Sequence, residues 1–195
     1  EGRDPPRTNP HGPGDGGKIA SMDNQLPTGV DVVVAAQTLG STIRRTPLDM
    51  SLRLSGIRNQ DILLKREDIQ VGRSYKARGA YNFISSLSAE EREAGVVCAS
   101  AGNHAQGVAF ACRQLKIHAK VFLPSTTPRQ KRARIADIGG RWIEQVIVGA
   151  TFDEASAAAQ EHAREHGATY VHPFDDPRTI AGQGTVVKEI FEQAS

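Results

Sequence analysis

The chain has 195 residues, of which 38% are hydrophobic and 24% charged, with a formal net charge of +2. That length suits one ordinary domain or part of a larger one, and so even a balance offers a polyanion such as nucleic acid little to hold. There is no apolar run long enough to span a bilayer and no secretory h-region near the start.

Residues 1–27 are rich in Gly, Pro, Asp, Asn and Arg, with almost nothing apolar before Ile19. They cannot bury enough surface to offset their ordering entropy and read as a disordered tail. Residues 30–39 then read as a short amphipathic helix with Val30, Val33, Val34 and Leu39 on its apolar side. Arg45-Thr46-Pro47-Leu48 reads as extended, because Thr46 precedes a proline.

From residue 60 onward, β-rich runs alternate with helical patterns. Strands are expected at 62–65, 95–99, 119–123, 142–148 and 169–172. Capping boxes at Ser88/Glu91 and Thr151/Glu154 start two helices, the second covering 154–165. Pro128 suits a first helical position, while Gly139 and Gly167 are placed to end helices. Strands joined by crossover helices pack as parallel sheets with helices on both faces, so the class is α/β. Cys98, on an expected strand, and Cys112, on an expected helix, read as buried free thiols, which suits a reducing cytoplasm.

Two patches carry candidate chemistry. Ser74-Tyr75-Lys76-Ala77-Arg78-Gly79-Ala80 contains a lysine just past an apolar strand. A lysine is a solvated cation by default, and Arg73 and Arg78 leave open one exposed basic turn; desolvated, its amine becomes a nucleophile toward carbonyls. Ser100-Ala101-Gly102-Asn103-His104-Ala105-Gln106-Gly107 follows the 95–99 strand and opens a helix running to Leu115. In a parallel sheet that is where ligands bind, against the free N–H groups of a helix N-terminus. A plain polar turn capping the helix is the alternative.

Together the two patches resemble the threonine dehydratases among the fold-type II pyridoxal-phosphate enzymes. The resemblance also rests on Arg45-Thr46-Pro47-Leu48, Leu64-Lys65-Arg66-Glu67-Asp68, Pro173-Phe174-Asp175-Asp176-Pro177 and Ile180-Ala181-Gly182-Gln183-Gly184-Thr185, in order over roughly residues 43–193. It implies a three-layer, tryptophan synthase β-like fold of open parallel sheets with flanking helices. Residues 28–195 would be the N-terminal part of the catalytic domain, with a small subdomain at about 80–175.

By the same resemblance Lys76 is the residue that holds pyridoxal 5′-phosphate covalently and removes the substrate Cα proton. Asn103 contacts the cofactor's 3′-oxygen, and Tyr75 packs beside its ring. Ser100, Gly102, Asn103 and His104 belong to the loop that grips the substrate α-carboxylate. The implied reaction is dehydration and deamination of L-threonine to 2-oxobutanoate and ammonia, the first step of isoleucine biosynthesis, in a cytoplasmic homo-oligomer. Serine dehydratase and serine racemase share these segments, so L-serine is the rival substrate; a non-catalytic fragment is the rival of another class.

The family's glycine-rich loop for the cofactor phosphate has no counterpart here. Gly182-Gln183-Gly184 is too short, and Gly12-Pro13-Gly14-Asp15-Gly16-Gly17 follows no strand. The chain therefore reads as an N-terminal fragment, expected to be inactive alone. No metal is expected: His162-Ala163-Arg164-Glu165-His166 has the spacing of an inverted zinc motif but sits in an alanine-rich, charged helix with no third ligand. The basic run Arg129-Gln130-Lys131-Arg132-Ala133-Arg134 has no interleaved aromatics and reads as a helix face. His11, His118 and His172 stay unassigned.

Overall fold

The computed structural model describes residues 26–194, and the tail expected at residues 1–27 lies almost wholly outside them. Helix α1, Gly29–Leu39, starts at Thr28, which forms a capping box with Asp31. Its inner side carries Val32, Ala35, Ala36 and Leu39 at helical spacing. Val30, Val33 and Val34, expected to face inward, are instead 71%, 45% and 54% exposed. Two apolar stripes compete on this helix, and the winning one runs unbroken to Leu39 while the other ends on Gln37. It packs on helix α8, Pro177–Gln193, where Gly184 lets Val32 approach: a Cβ there would lie 2.9 Å from a Val32 methyl.

Strands β1, Leu48–Met50, and β2, Leu63–Lys65, pair antiparallel around helix α2, Leu52–Arg58. This corrects the parallel pairing expected for residues 62–65. The partner, Leu48–Met50, continues the extended Arg45–Leu48 stretch, and the short connection turns the chain back beside itself. Two single turns of 3-10 helix, Glu67–Ile69 and Val71–Arg73, lead into α3, Lys76–Ser85, and then α4, Ala89–Ala94.

The second sheet is parallel throughout. It is built from β3 (Val96–Ala99), α5 (Asn103–Leu115), β4 (Ala119–Leu123), α6 (Arg129–Gly139), β5 (Ile143–Ile147), α7 (Phe152–His166) and β6 (Thr169–Tyr170). Its spatial order is β5-β4-β3-β6. The chain steps outward from β3 to β5 and then returns past β3 to β6. Right-handed crossovers therefore place α5 and α6 on one face and α7 on the other. The strand period of two divides the core accordingly: Val96 and Cys98 join the cluster with Val108, Cys112 and Ile135, while Val97 and Ala99 meet Ala155 and Ala159 of α7.

Both expected capping boxes form, and Gly167 ends α7 with φ +66. The stop of α6 is Gly140, at φ +56, rather than Gly139. Gly139 is still helical and leaves room for Ile143, whose side chain a Cβ there would strike. Cys98 and Cys112 are free and buried, and burial pushes the Cys98 thiol up to about 12. Among the described residues no helix is long and apolar enough to cross a membrane.

Candidate active site

The order β5-β4-β3-β6 reverses at β3, so the crevice beyond the carboxyl ends of β3 and β6 is the topological switch point where ligands bind in open α/β sheets. Two segments leave the sheet there. After β3 come Ser100 to Gly102 and the first turn of α5; after β6 come Val171, His172 and Pro173.

Lys76 is delivered to this crevice from the side, as the first residue of α3. The turn before it contains two left-handed residues in succession, Gly72 at φ +72 and Arg73 at φ +55. Such geometry in a non-glycine residue is unusual, and it aims the chain abruptly into the helix. Helix α5 then approaches α3 closely at Gly107, where a Cβ would lie 2.9 Å from the Lys76 carbonyl oxygen. A larger residue would push the lysine away from α5.

The Lys76 side chain is half-buried, and its Nζ donates to the Pro173 carbonyl at 2.8 Å. Nζ also lies 5.3 Å from the Tyr75 ring centroid, within cation–π range. Burial lowers the Lys76 pKa, so a larger share of the amine is unprotonated than in water. Tyr75 itself is 42% exposed.

Across the crevice, α5 begins at Asn103 with Gly102 in the N-cap position and no side chain capping the helix. The Ser100 hydroxyl accepts the Gly102 N–H at 3.1 Å. The first-turn amides of α5 thus have no acceptor in the helix itself, and the dipole favours an anion there. A Cβ at Gly102 would meet nothing nearer than Ser100 Oγ at 4.0 Å, so the approach to these amides is open. Asn103 is exposed at the rim.

His104 turns the other way. The residue is 4% exposed, and Nε2 lies 2.9 Å from the Val171 carbonyl. Since a carbonyl can only accept, Nε2 carries the proton and Nδ1 is a bare acceptor, buried with no hydrogen-bond partner. Burial lowers its pKa to about 4, with the positive charge of Lys76 adding to the effect. Within the loop, then, the His104 backbone faces the crevice end while its imidazole braces the β6 exit.

The least expected feature is Arg78. It is 1% exposed and donates to both oxygens of Glu67, at 2.8 and 3.0 Å, and to both of Glu189, at 2.7 and 3.0 Å. Lys65 Nζ adds bonds to Glu189 at 2.6 Å and to the Thr46 carbonyl at 2.6 Å, and the Thr46 hydroxyl donates to Glu67 at 2.6 Å. Two cations thus neutralise two carboxylates, and the cluster pins the first turn of α3 to β2, the Thr46 loop and α8. The exposed basic turn left open for Arg73 and Arg78 is excluded for Arg78. Glycines complete this junction: a Cβ on Gly182 of α8 would lie 2.6 Å from the Arg78 carbonyl oxygen.

No group of three or more potential metal ligands occurs among the described residues. His162 and His166 stack on each other, with ring centroids 4.0 Å apart.

A family model for "Pyridoxal-phosphate dependent enzyme" matches residues 39–195. The chain belongs to this family. Its fold is the tryptophan synthase β-like arrangement of the fold-type II members. An L-threonine dehydratase biosynthetic IlvA of Mycobacterium tuberculosis is 53% identical over 166 residues, covering 85% of this chain and 39% of the relative. Of solved structures, processed threonine deaminase isoform 2 of Solanum lycopersicum superposes with a TM-score of 0.77 at 43% identity, over 84% of this chain and 46% of that one. Maize serine racemase gives a TM-score of 0.81 at 30% identity, over 87% and 50%. The chain therefore spans well under half the length of the curated relative.

The family's cofactor is an aldehyde carrying a phosphate, and the crevice suits its aldehyde end. A half-buried amine is lowered in pKa by burial, an uncapped helix N-terminus lies near it, and an unfilled glycine keeps the approach open.

Proposed function

We propose that this chain is the Lys76-bearing part of a lyase that dehydrates and deaminates L-threonine with pyridoxal phosphate. The observation that carries the reading is a half-buried lysine amine held on a backbone carbonyl at the switch point, beside an uncapped helix N-terminus. The bound cofactor would supply an electron sink for charge developing at the substrate Cα. Lys76 would hold it covalently and, once released, stand as the base for the Cα proton. Asn103 would contact the cofactor's 3′-oxygen, and Tyr75 would flank its ring.

The first-turn amides of α5, with Ser100, Gly102 and the His104 backbone, would hold the substrate carboxylate and fix which hydrogen faces Lys76. Loss of that proton with the β-hydroxyl removes one water. Water is taken up again as the nitrogen leaves, so threonine becomes 2-oxobutanoate and ammonia. In this reading the protein acts in the cytoplasm, in isoleucine biosynthesis, as a homo-oligomer at full length. The 195-residue chain, spanning 39% of a relative, does not turn threonine over by itself. The 53% identity to a threonine dehydratase, against 30% to a serine racemase, favours threonine over serine.

The test is to incubate the purified chain with pyridoxal phosphate, reduce with borohydride and map the modified lysine by peptide mass spectrometry. Label concentrated on Lys76, and lost in Lys76→Ala without transfer elsewhere, is the expected result. Label spread over surface lysines with Lys76 unmodified would sink the assignment.

A further inference from the structure

Three successive carbonyls beyond β6 each receive a side-chain donor. Val171 O takes His104 Nε2 at 2.9 Å, and His172 O takes the Thr179 hydroxyl at 3.2 Å. Pro173 O takes two donors, Lys76 Nζ at 2.8 Å and Gln183 Nε2 at 3.1 Å. The segment is thus a fixed ledge, braced by α5 on one side and by one turn of α8 on the other. The lysine amine rests on its last oxygen and shares it.

Gln183 reaches this position because of α3. Gly79 lies one helical turn from Lys76 on the same face, and a Cβ there would sit 2.9 Å from Gln183 Cγ. The glutamine stem therefore lies over α3 beside the lysine, and its amide ends on the oxygen the amine uses. A carbonyl has two lone pairs, so both donors fit at once. Sharing has two consequences. The oxygen stays satisfied when the amine leaves it, so no buried acceptor is stranded. Its hold on the ammonium is also weaker than that of an unshared carbonyl.

From this geometry we infer that Gln183 is a positioning residue for Lys76: by sharing Pro173 O it fixes where the amine rests and loosens the amine for transfer to an aldehyde. The inference rests on the role proposed for Lys76 and adds the device that readies it. The titratable side chains around the amine are Tyr75 beside the lysine, His104 on α5, and His172 and Asp175 on the segment beyond β6, while Arg78 on α3 is paired with Glu67 and Glu189. On α8, Asp176 and Arg178 neutralise each other at 2.9 Å.

Competitive acetylation with acetic anhydride across pH, read peptide by peptide, reports the titration of Lys76 without any cofactor; exposed Lys116 in the same digest is the reference. Gln183→Met keeps the unbranched length and removes the donor, and Gln183→Glu keeps the shape and removes the donor. Both variants should move the Lys76 midpoint to higher pH by about half a unit or more, because the amine then has the oxygen to itself, with Lys116 unmoved. Unchanged or lower midpoints in both overturn the inference. So does a shift in Gln183→Glu alone, since a new carboxylate would raise the amine without any sharing. Loss of fold in both variants also overturns it, because the residue would then hold the structure and not the amine. Whether Lys76 takes an aldehyde is read separately, by borohydride trapping of the wild-type chain, so the two ideas can fail independently.

Discussion

Replacing Arg78 with methionine tests whether the buried charge cluster holds α3 in place. Methionine fills the space of the arginine stem and removes every donor. Glu189 keeps Lys65 at 2.6 Å, but Glu67 keeps only the Thr46 hydroxyl, also at 2.6 Å. The cluster then passes from neutral to one uncompensated negative charge, with the Glu67 side chain only 12% exposed. Breaking one buried pair in this way costs about 3–5 kcal/mol, a large part of a domain's ~5–15 kcal/mol. Urea unfolding followed by circular dichroism should show that loss at pH 7. The dependence on pH supplies a second signature. Burial works to raise the Glu189 carboxyl, and the Arg78 and Lys65 bonds outweigh it, holding the group below its ordinary value. That stability is present above the ordinary carboxylate range and is lost as pH falls through the folded value. The two stability curves should draw together as pH falls below the ordinary carboxylate value of about 4.3. A loss under about 1 kcal/mol at pH 7, or a gap that widens in acid, would refute the argument.

Further outcomes follow from the crevice. His104, lowered to about 4 by burial, should show no imidazole titration by NMR between pH 5.5 and 8. Its neutral burial adds stability that is complete above about 6.5, the unfolded value, and declines toward pH 4 because the unfolded chain binds that proton first. Gly107→Val should cost about 1–3 kcal/mol by overpacking α5 against the Lys76 backbone, and should cut aldehyde trapping at Lys76 more than labelling of Lys116. Lys76→Ala should change urea stability by less than about 1 kcal/mol, since Pro173 O keeps Gln183, while abolishing the trapped adduct.

Whatever depends on near neighbours in the chain is legible in the sequence. Thr151 and Glu154 announce a helix start because both partners of the box lie within one turn. The strand at 119–123 is visible because a buried parallel strand is a short apolar run between helices. The choices that could not be read depend on what lies opposite. The exposed stripe of α1 is as apolar as the buried one over its first turns, and the room that Gly184 leaves for Val32 across the interface is not visible in the helix itself. Arg78 looks like the surface charges around it until Glu189, which lies 111 residues further on, is brought beside it. The family motifs around Thr46, Lys65 and Glu67 could be matched but not explained, because what they build is a charge cluster assembled from five separate segments of the chain.

Gln183 shows the same limit at the level of chemistry. Between two glycines it invites comparison with a phosphate loop, and for that purpose the stretch is too short. In the fold the flanking Gly182 serves helix packing against α3, and the glutamine points to the ledge that the lysine uses. The amine, the oxygen it rests on and the donor that shares the oxygen come from α3, the β6 exit and α8. The lysine lies 97 residues before the oxygen it rests on. A site of this kind is specified by where helices cross, so its glycines are as informative as its lysine: each marks a crossing that must close before the amine can reach the crevice.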